Sequence, residues 1–299
     1  MAFQVSLAPP QTYDKELNIW STPDFMQAVQ QLHHRQAWHI QCWKGNELVA
    51  VFPFYENKLL SYRAIVSPSS AYYNGMNLFL NEASSVSRRL LDTLQITQSI
   101  AQFIYARYQK VRFNLDAGFG DVRGFTWEKL KARPLYTFVH NYEGPLQPLS
   151  DEKKKLTLAR SQAYHFAEAF NLDDFIRLFS AMFKRKHKEL GFSYPDFGEF
   201  LGTLHQLGLA RQFNLYRDNR VVSSNIVYID PKGYAYAVFR ATDEAEMKYG
   251  ASSLHTLELL QSLAEDIIGI DFCGANVPEI ARFKAAQGLS LKVFYQIYR

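Results

Sequence analysis

Three short strand-like segments follow one another between residues 211 and 241, and tight turns join them. The segments read RQFNLYR, VVSSNIVYI and GYAYAVFRA, and the turns are Asp218-Asn219 and the sequence DPKG at 230–233. Aspartate, asparagine and glycine are typical of hairpin turns, so the pattern predicts an antiparallel three-stranded meander. The second half of the chain must therefore contain a sheet.

An alternation of helix and strand follows this meander. Residues 251–267 repeat leucines at helical spacing, a strand-like IGIDFCG comes next, and a short helix from Pro278 precedes the strand-like LKVFYQIY. This order predicts a mixed sheet in which one parallel strand joins the antiparallel meander. Such a sheet splays where the parallel strand joins, and the helix crossing there presents its N-terminus to the gap.

The start of the 251–267 helix is a candidate anion site. Free backbone N–H groups at a helix N-terminus bind phosphate. Gly250 allows close approach of the backbone, and Ser252 and Ser253 add hydroxyl groups, so we predict that these three residues bind substrate. An ordinary Gly-Ser helix cap explains the same residues equally well.

The first half of the chain also alternates predicted helices and strands. The pattern predicts a helix after Thr22-Pro23, a hairpin of AWHIQCW and ELVAVFPFY around KGN, a helix over 84–108, and the strands VRFNLD and YTFVHNY. The second half opens with SDEKKKLTLAR, where Ser150 is a predicted helix cap and the lysine run a solvated face. We therefore predict an α/β (α+β) fold with two domains, residues 1–148 and 149–299, each a mixed, mostly antiparallel sheet flanked by helices.

Composition, charge and cysteine content indicate a globular protein without a disulfide framework. With 299 residues, of which 47% are hydrophobic, the chain can bury a large core, and a net charge of +4 neither requires a polyanion nor excludes an anionic substrate. Cys42 and Cys273 are far apart, which predicts buried thiols rather than a disulfide framework. The sequence shows neither a long apolar run nor the features of a signal peptide, so we expect a cytoplasmic protein without a transmembrane segment.

Two segments of the second half carry a family resemblance. They read YAYAVFRATDEAEMKYGASSLHTLELLQ and IDFCGANVPEIARFKAAQGLSL, and TPDFMQAV and NELVAVFPF add weaker matches in the first half. The segments resemble the FemAB-type acyltransferases, relatives of the peptidoglycan bridge-forming enzymes within the GNAT acetyltransferase superfamily. The resemblance implies two fused acetyltransferase-like domains and the transfer of an acyl or aminoacyl group to an amine of a cell-envelope precursor or small metabolite.

The resemblance also implies two classes of donor. Peptidoglycan members take an aminoacyl group from charged tRNA, and other members of the group use acyl thioesters. Acyl-CoA or aminoacyl-tRNA is therefore the expected co-substrate, with transient tRNA contact, no tightly bound cofactor and no DNA partner. The chain departs from the peptidoglycan pattern because it has no lysine between Lys15 and Lys44 and no helical-hairpin insertion, and only Gly250 remains of the acetyl-CoA loop.

The resemblance assigns roles to four residues. It places Phe283 against substrate, and Lys284 at the substrate phosphates or the developing oxyanion, where a fixed cation stabilises the transition state. It also places Tyr234 and Tyr236, which alternate along one strand, in the acceptor pocket, where the phenol of Tyr236 orients the nucleophile or relays a proton. A surface lysine and two core aromatic residues are the alternatives.

Basic residues also end the predicted helix that begins after Asn171. Arg185 and Lys188 are predicted to receive a phosphate or carboxylate, although cations at a helix C-terminus also complement the helix dipole. Two hypotheses for the whole protein remain open. The first is an N-acyltransferase with its substrate pocket in the cleft between the two predicted domains, and the second is a non-catalytic binding module that keeps this interdomain anion-binding cleft but has lost donor chemistry.

Overall fold

A computed structural model describes residues 3–299, which divide into two compact units. The first unit extends to Leu135 and includes Val293–Arg299, and the second is Tyr136–Lys292. Among the described residues, no helix combines the length and the apolar character needed to cross a membrane.

The first unit is a sheet with one long helix packed on it. Its strands and helices in chain order are β1 (Phe3–Ala8), α1 (Pro23–His33), β2 (Gln36–Lys44), β3 (Glu47–Leu59), β4 (Tyr62–Val66), β5 (Asn77–Leu78), α2 (Val86–Arg107), β6 (Lys110–Asn114) and α3 (Arg123–Trp127). Strands β1 to β4 pair antiparallel in sequence, β5 pairs with β3, and β6 lies parallel to β4. The predicted hairpin around KGN is the β2–β3 pair, whose turn places Gly45 at a φ of 62°.

The core of the first unit forms between this sheet and α2. Ser85 caps α2 through its hydroxyl, which accepts a hydrogen bond from the backbone N–H of Arg88 at 3.2 Å. Ile100 and Ile104 of this helix pack with Phe52, Phe54 and other fully buried side chains of the strands. The amphipathic pattern over 84–108 predicts this helix correctly because its apolar stripe is long.

The second unit is built around the predicted meander. It contains β7 (Lys131–His140, shared with the first unit), α4 (Ser150–Arg160), β8 (His165–Glu168), α5 (Leu172–Arg185), α6 (Tyr194–Gln206), β9 (Ala210–Arg217), β10 (Arg220–Ile229), β11 (Tyr234–Thr242), α7 (Glu244–Met247), α8 (Ala251–Leu263), β12 (Gly269–Asp271), α9 (Pro278–Ala286) and β13 (Ser290–Tyr298, also shared). Strands β8 to β11 pair antiparallel, β12 lies parallel to β11, and β7 pairs antiparallel with β12.

Helices cover both faces of this second sheet. Phe239 of β11 contacts the rings of Phe179 on α5 and Phe197 on α6, with centroids 5.8 Å and 5.0 Å away. On the other face, Ala235 and Ala237 pack in one cluster with the leucines of α8. The two alanines leave room for the helix, so α8 lies close against the point where β12 joins the meander.

Three features of the second unit differ from the sequence predictions. Ser150 does not cap α4, because Leu149 occupies the cap position with its N–H donated to the carbonyl of Ala286 at 2.9 Å. Helix α8 ends at Leu263 rather than 267. Helix α6 was not predicted, although Ser193 accepts a hydrogen bond from the N–H of Asp196 and Pro195 follows it, which together form a helix-start signal.

The spatial units also differ from the predicted domains of 1–148 and 149–299. The end of β13 pairs with β6, as in the Ile297–Phe113 pair, and so belongs to the first unit. The end of β7 pairs with β12 through His140 and Ile270, so residues from Tyr136 onward belong to the second unit. Strand pairing, which local pattern does not reveal, sets these boundaries.

Candidate active site

Helix α8 connects the parallel strands β11 and β12 and begins directly after Gly250. Gly250 has a φ of 80°, and a Cβ built on it would lie 2.6 Å from the carbonyl oxygen of Lys155 and 3.3 Å from Cβ of Ala159. Helix α4 therefore packs directly on the start of α8. Glycine is required here both for its left-handed backbone and for this close approach. Gly250 therefore acts as the N-terminal cap of α8, one of the two roles predicted for it.

Replacing this glycine tests the contact between the helices. We expect Gly250→Ala to lower the free energy of unfolding by about 2 kcal/mol or more, because alanine adds left-handed strain and overlaps a backbone atom that cannot rotate away. Denaturant unfolding measures the loss. Gly202→Ala on α6 is the matched control, since its nearest neighbour would be a side-chain atom at 4.0 Å, and an equal loss in both variants would contradict the close packing.

The two serines at the start of α8 have different surroundings. The hydroxyl of Ser252 donates to Oγ1 of Thr242 at 3.1 Å, and the Ser252 carbonyl accepts from the guanidinium of Arg240 and from Thr256. The backbone N–H of Ser253 donates to the Gly250 carbonyl at 3.0 Å, and Ser253 lines a cavity. Ser252 is thus hydrogen-bonded to strand β11, whereas Ser253 lines the cavity.

A buried polar cluster lies between α8 and the sheet. Arg240 donates from Nη1 to Oγ1 of Thr256 at 2.7 Å, and Nδ1 of His255 lies 2.8 Å from Oγ of Ser223. Burial lowers the pKa of Arg240 to about 10, against the opposing effect of the Glu152 carboxylate. Burial and the nearby Arg240 charge also hold the pKa of His255 well below its usual value, so the imidazole is neutral at pH 7.

Not every polar atom of this cluster has a partner. Nε of Arg240 and both amide atoms of Asn225, which faces Arg240 across the strand pair, are buried and make no hydrogen bond within residues 3–299. Buried polar groups are almost always paired in folded proteins, because an unpaired one costs about 1–3 kcal/mol. The unpaired atoms of Arg240 and Asn225 lie close together, across the strand pair from each other.

A cavity of about 490 Å³ lies within the second unit, beside α8. Its wall is formed by α4, α8, the segment from 140 to 148 and the end of α9, with Leu146, Leu156, Leu257, Leu260 and Ala264 among its apolar lining. Lys153 and Arg160, both exposed, add two cations. The size and mostly apolar wall are those of a small-molecule site.

Two buried polar side chains line the same cavity. Glu152 is 2% exposed, its Oε2 accepts from Nζ of Lys155 at 3.3 Å, and its Oε1 has no partner among the described residues. Gln287 is 5% exposed, and neither Nε2 nor Oε1 of its amide forms a hydrogen bond within the same part of the chain. The cavity therefore combines an apolar wall with a carboxylate and an amide that have unused hydrogen-bonding capacity.

Lys284 lies on α9, and its ammonium is fully occupied. Nζ donates to the carbonyl oxygens of Phe272 (2.6 Å), Cys273 (2.9 Å) and Gly274 (2.5 Å), and the residue is 9% exposed. Burial lowers the pKa of Lys284 to about 8, and three carbonyl acceptors favour the charged form. The ammonium holds the turn after β12, and its role toward a substrate phosphate or an oxyanion stays a prediction.

The turn that Lys284 holds is also fixed by Asp271. Its Oδ1 accepts from the backbone N–H of Cys273 at 2.7 Å and from the hydroxyl of Thr137 at 2.5 Å. Asp271 therefore caps the turn through its side chain. Burial and the Asp271 charge raise the pKa of the Cys273 thiol well above its usual value, so it is protonated at neutral pH.

The remaining predicted residues lie apart from the cavity. Tyr234 and Tyr236 alternate with Ala235 and Ala237 and so point to the face of the sheet opposite α8. Arg185, at the end of α5, lies 3.6 Å from the carboxylate of Glu244. Lys188 is exposed, and the Phe283 ring lies 5.7 Å from the Arg240 guanidinium. Of the predicted residues, Ser253 alone is among those that line the cavity.

Sequence reasoning missed four polar residues of this region: Glu152, Arg240, His255 and Gln287. Glu152 stands within the charged sequence SDEKKK, which is typical of an exposed face. His255 lies within the apolar pattern of α8, and a polar residue in a buried helix could have indicated a functional position. Nothing local marks Arg240 or Gln287, whose burial depends on the packing of α8 and α9.

Comparison with known proteins identifies the domain that carries this site. Residues 149–285 match the family model described as the acetyltransferase (GNAT) domain. The match contains α8, the Arg240 cluster and Glu152.

Residues 149–285 carry a GNAT acetyltransferase domain.

Solved structures are similar in fold to nearly the whole chain. FemX is similar over 92% of this chain and 90% of its own, with a TM-score of 0.66 and 12% sequence identity. L-PGS from Bacillus licheniformis is similar over 92% and 87%, with a TM-score of 0.60 and 12% identity. A tandem GNAT protein from the clavulanic acid biosynthesis pathway is similar over 97% and 89%, with a TM-score of 0.50 and 9% identity. No curated protein matches the sequence.

The comparisons confirm the predicted fold class of two fused acetyltransferase-like parts with mixed, mostly antiparallel sheets. They also confirm the predicted resemblance to the GNAT acyltransferases and the prediction of an acyltransferase. GNAT enzymes use acyl-CoA as co-substrate. At identities near 10%, the structural likenesses show the fold and leave substrates open.

Proposed function

We propose that this protein transfers an acyl or aminoacyl group to an amine of a cell-envelope precursor or a small metabolite. One observation carries the proposal: α8 and Glu152 of the GNAT domain line a cavity, and Glu152 and the adjacent Gln287 bring unpaired hydrogen-bonding atoms to it. A carboxylate oxygen and an amide suit an amine, because the amine offers N–H donors to both oxygens. The apolar wall would hold the remainder of the acceptor or the acyl chain.

The proposed reaction needs few groups from the protein. The amine nitrogen attacks the carbonyl carbon of the donor, the C–N bond forms, and the bond to the thiolate or to the ribose oxygen breaks. The carboxylate of Glu152 accepts the hydrogen bond of the amine and then its proton, which passes on to the leaving thiolate or ribose oxygen. Lys153 and Arg160 supply positive charge for phosphates of a nucleotide-linked substrate. Catalysis then rests mainly on positioning and on electrostatic stabilisation.

Two donors are in keeping with this site. The GNAT domain favours an acyl-CoA thioester. The shared folds of FemX and L-PGS motivate aminoacyl-tRNA as the second donor, with tRNA as a transient partner, and FemX motivates a peptidoglycan precursor as acceptor. We propose that the reaction takes place in the cytoplasm, where both donors are present.

Glu152→Gln tests the role assigned to the carboxylate. We expect a loss of tenfold or more in kcat/KM, because the amide cannot take the amine proton. Turnover is measured with acetyl-CoA, longer acyl-CoAs and aminoacyl-tRNA, each with UDP-linked muropeptides and simple amines as acceptors. Asp151→Asn is the matched control, since this neighbouring carboxylate is exposed and pairs with Lys154.

The outcomes of this test are distinct. Turnover with one donor class, reduced in Glu152→Gln and normal in Asp151→Asn at unchanged thermal stability, supports the proposal. Equal turnover in both variants would remove Glu152 from the mechanism. Absence of turnover and of any thermal shift with every donor would overturn the acyltransferase function.

A non-catalytic binding module is the second candidate, and one observation favours it. Two of the groups predicted to meet the donor contact the protein itself, because α4 packs on Gly250 and three carbonyl oxygens accept from the ammonium of Lys284. A ligand at a hundred times its Kd stabilises a protein by about 2.7 kcal/mol. A thermal shift with an acyl thioester that is never consumed would favour this candidate.

A further inference from the structure

The hairpin of β3 and β4 in the first unit ends in exposed apolar side chains. Leu59 is 72% exposed, Leu60 89% and Tyr62 47%. Leu59 and Tyr62 face each other as the last pair of the hairpin, so only Leu60 and Ser61 form the turn. Single exposed leucines are common on proteins, but three large apolar side chains at the end of one hairpin form a local patch.

The turn keeps leucine at a position that disfavours it. Leu60 has a φ of 55°, in the left-handed region. Two-residue hairpin turns of this kind strongly prefer asparagine or glycine, because a larger side chain is strained there by about 1 kcal/mol or more. At 89% exposure and with this strain, the Leu60 side chain contributes little to the stability of the fold.

Cations surround this hairpin end. Lys58 and Lys110 are exposed, and Lys110 follows the Gln109 side chain that accepts from the backbone N–H of Arg63 at 2.8 Å. Arg35 donates to the side chain of Asn57, next to Lys58. Within residues 3–299, none of Lys58, Lys110 and Arg35 forms an ion pair.

Glu56, two residues before Lys58 on the same strand, does not offset this positive charge. Glu56 is 5% exposed and accepts from Nε of Arg63 at 2.5 Å and from Nε1 of Trp38 at 3.0 Å. Its charge is therefore neutralised inside the unit. The hairpin end, which we call the Leu59–Tyr62 tip, combines apolar side chains at its apex with uncompensated cations at its base.

We propose that the Leu59–Tyr62 tip docks on the surface of an anionic lipid membrane. The leucines and Tyr62 enter the interfacial region, where amphipathic aromatic rings are favoured, and Lys58, Lys110 and Arg35 lie at the level of the phosphate groups. Each cation near an anionic surface contributes about 1 kcal/mol, so binding is reversible and sensitive to salt. The charge of the tip matches lipid phosphates, and its small apolar apex suits an interface that has no fixed shape. This inference is independent of the proposed acyl transfer.

Vesicle sedimentation tests the proposal. We expect the protein to sediment with vesicles of phosphatidylglycerol and phosphatidylcholine at low salt, and much less with phosphatidylcholine alone or at high salt. Leu59→Ser/Leu60→Ser should lower binding about tenfold or more, since two apolar side chains are lost from the interface. Leu90→Ser/Leu91→Ser on α2 is the matched control, because these leucines are also exposed in the first unit, 46% and 53%, and should leave binding unchanged.

A second variant separates binding from folding. Leu60→Asn suits the left-handed turn, so it should leave the thermal midpoint unchanged or raise it while weakening vesicle binding. No sedimentation of the wild-type protein with anionic vesicles at low salt would overturn the proposal and leave a protein partner for the tip. Equal binding by the tip variants and the α2 control would overturn it as well.

Discussion

Lys284→Met is expected to lower the free energy of unfolding by about 3–5 kcal/mol, because it removes the donor from three carbonyl oxygens and leaves them unpaired. Methionine keeps most of the side-chain volume, so the loss reports the ammonium rather than a cavity. For a unit of this size the thermal midpoint should fall by roughly 10 °C. Calorimetry of the variant and the wild type measures the difference.

Arg282→Met is the matched control for this variant. Arg282 lies on the same helix, α9, and is exposed, so its loss should change stability little. If Lys284→Met keeps the wild-type midpoint but abolishes turnover, the ammonium acts on substrate and not on the turn after β12. That outcome would contradict the structural role and restore the predicted catalytic one.

Acidification from pH 7 to 5 should destabilise the protein through its buried histidines. Nδ1 of His39 lies 3.0 Å from the Tyr13 hydroxyl and Nε2 lies 3.0 Å from the Ser21 carbonyl, which fits a neutral ring. Burial lowers the pKa of His39 to about 4. Below pH 6.5 the unfolded chain gains a proton that the folded chain excludes, so the free energy of unfolding falls by about 2 kcal/mol by pH 5. His255 acts in the same direction.

Thermal midpoints measured from pH 7.5 to 5 test this dependence. His39→Gln removes one titrating group, so its midpoint should fall less steeply with acid than that of the wild type. His34→Gln is the control, because His34 is exposed at the end of α1, and it should keep the wild-type slope. A wild-type slope in His39→Gln would show that His39 is not excluded from protonation in the folded state.

The sequence predicts elements well where their signals are local. The meander follows from its turn residues, and Asp218 and Asn219 adopt the positive φ values that such a turn requires. The helix predicted to begin after Asn171 does so, and the Asn171 side chain caps it by accepting a hydrogen bond from the N–H of Asp174 at 3.1 Å. Both signals lie within a few residues of the structure that they specify, so no knowledge of packing is needed.

The site is predicted less well because it depends on contacts between distant segments. Glu152 is buried because α4 packs on Gly250, a residue about a hundred positions later in the chain, and neither segment shows this contact in its own pattern. Alternation along β11 predicts that Tyr234 and Tyr236 share one face of the sheet, but it does not predict which face α8 covers. In the structure α8 covers the other face. The family resemblance singled out Lys284, but its three carbonyl partners are set by the conformation of the turn at 272–274, which the resemblance does not predict.

The return of Val293–Arg299 to the first unit constrains the order of folding during synthesis. The strand that completes the sheet of the first unit leaves the ribosome after the entire second unit has been made. Until then β6 has an open edge at the position of its later partner, and such edges recruit other strands. We therefore expect chaperones to bind the nascent first unit, and ribosome-bound chains that stop before residue 293 should be more sensitive to protease than chains that continue through residue 299.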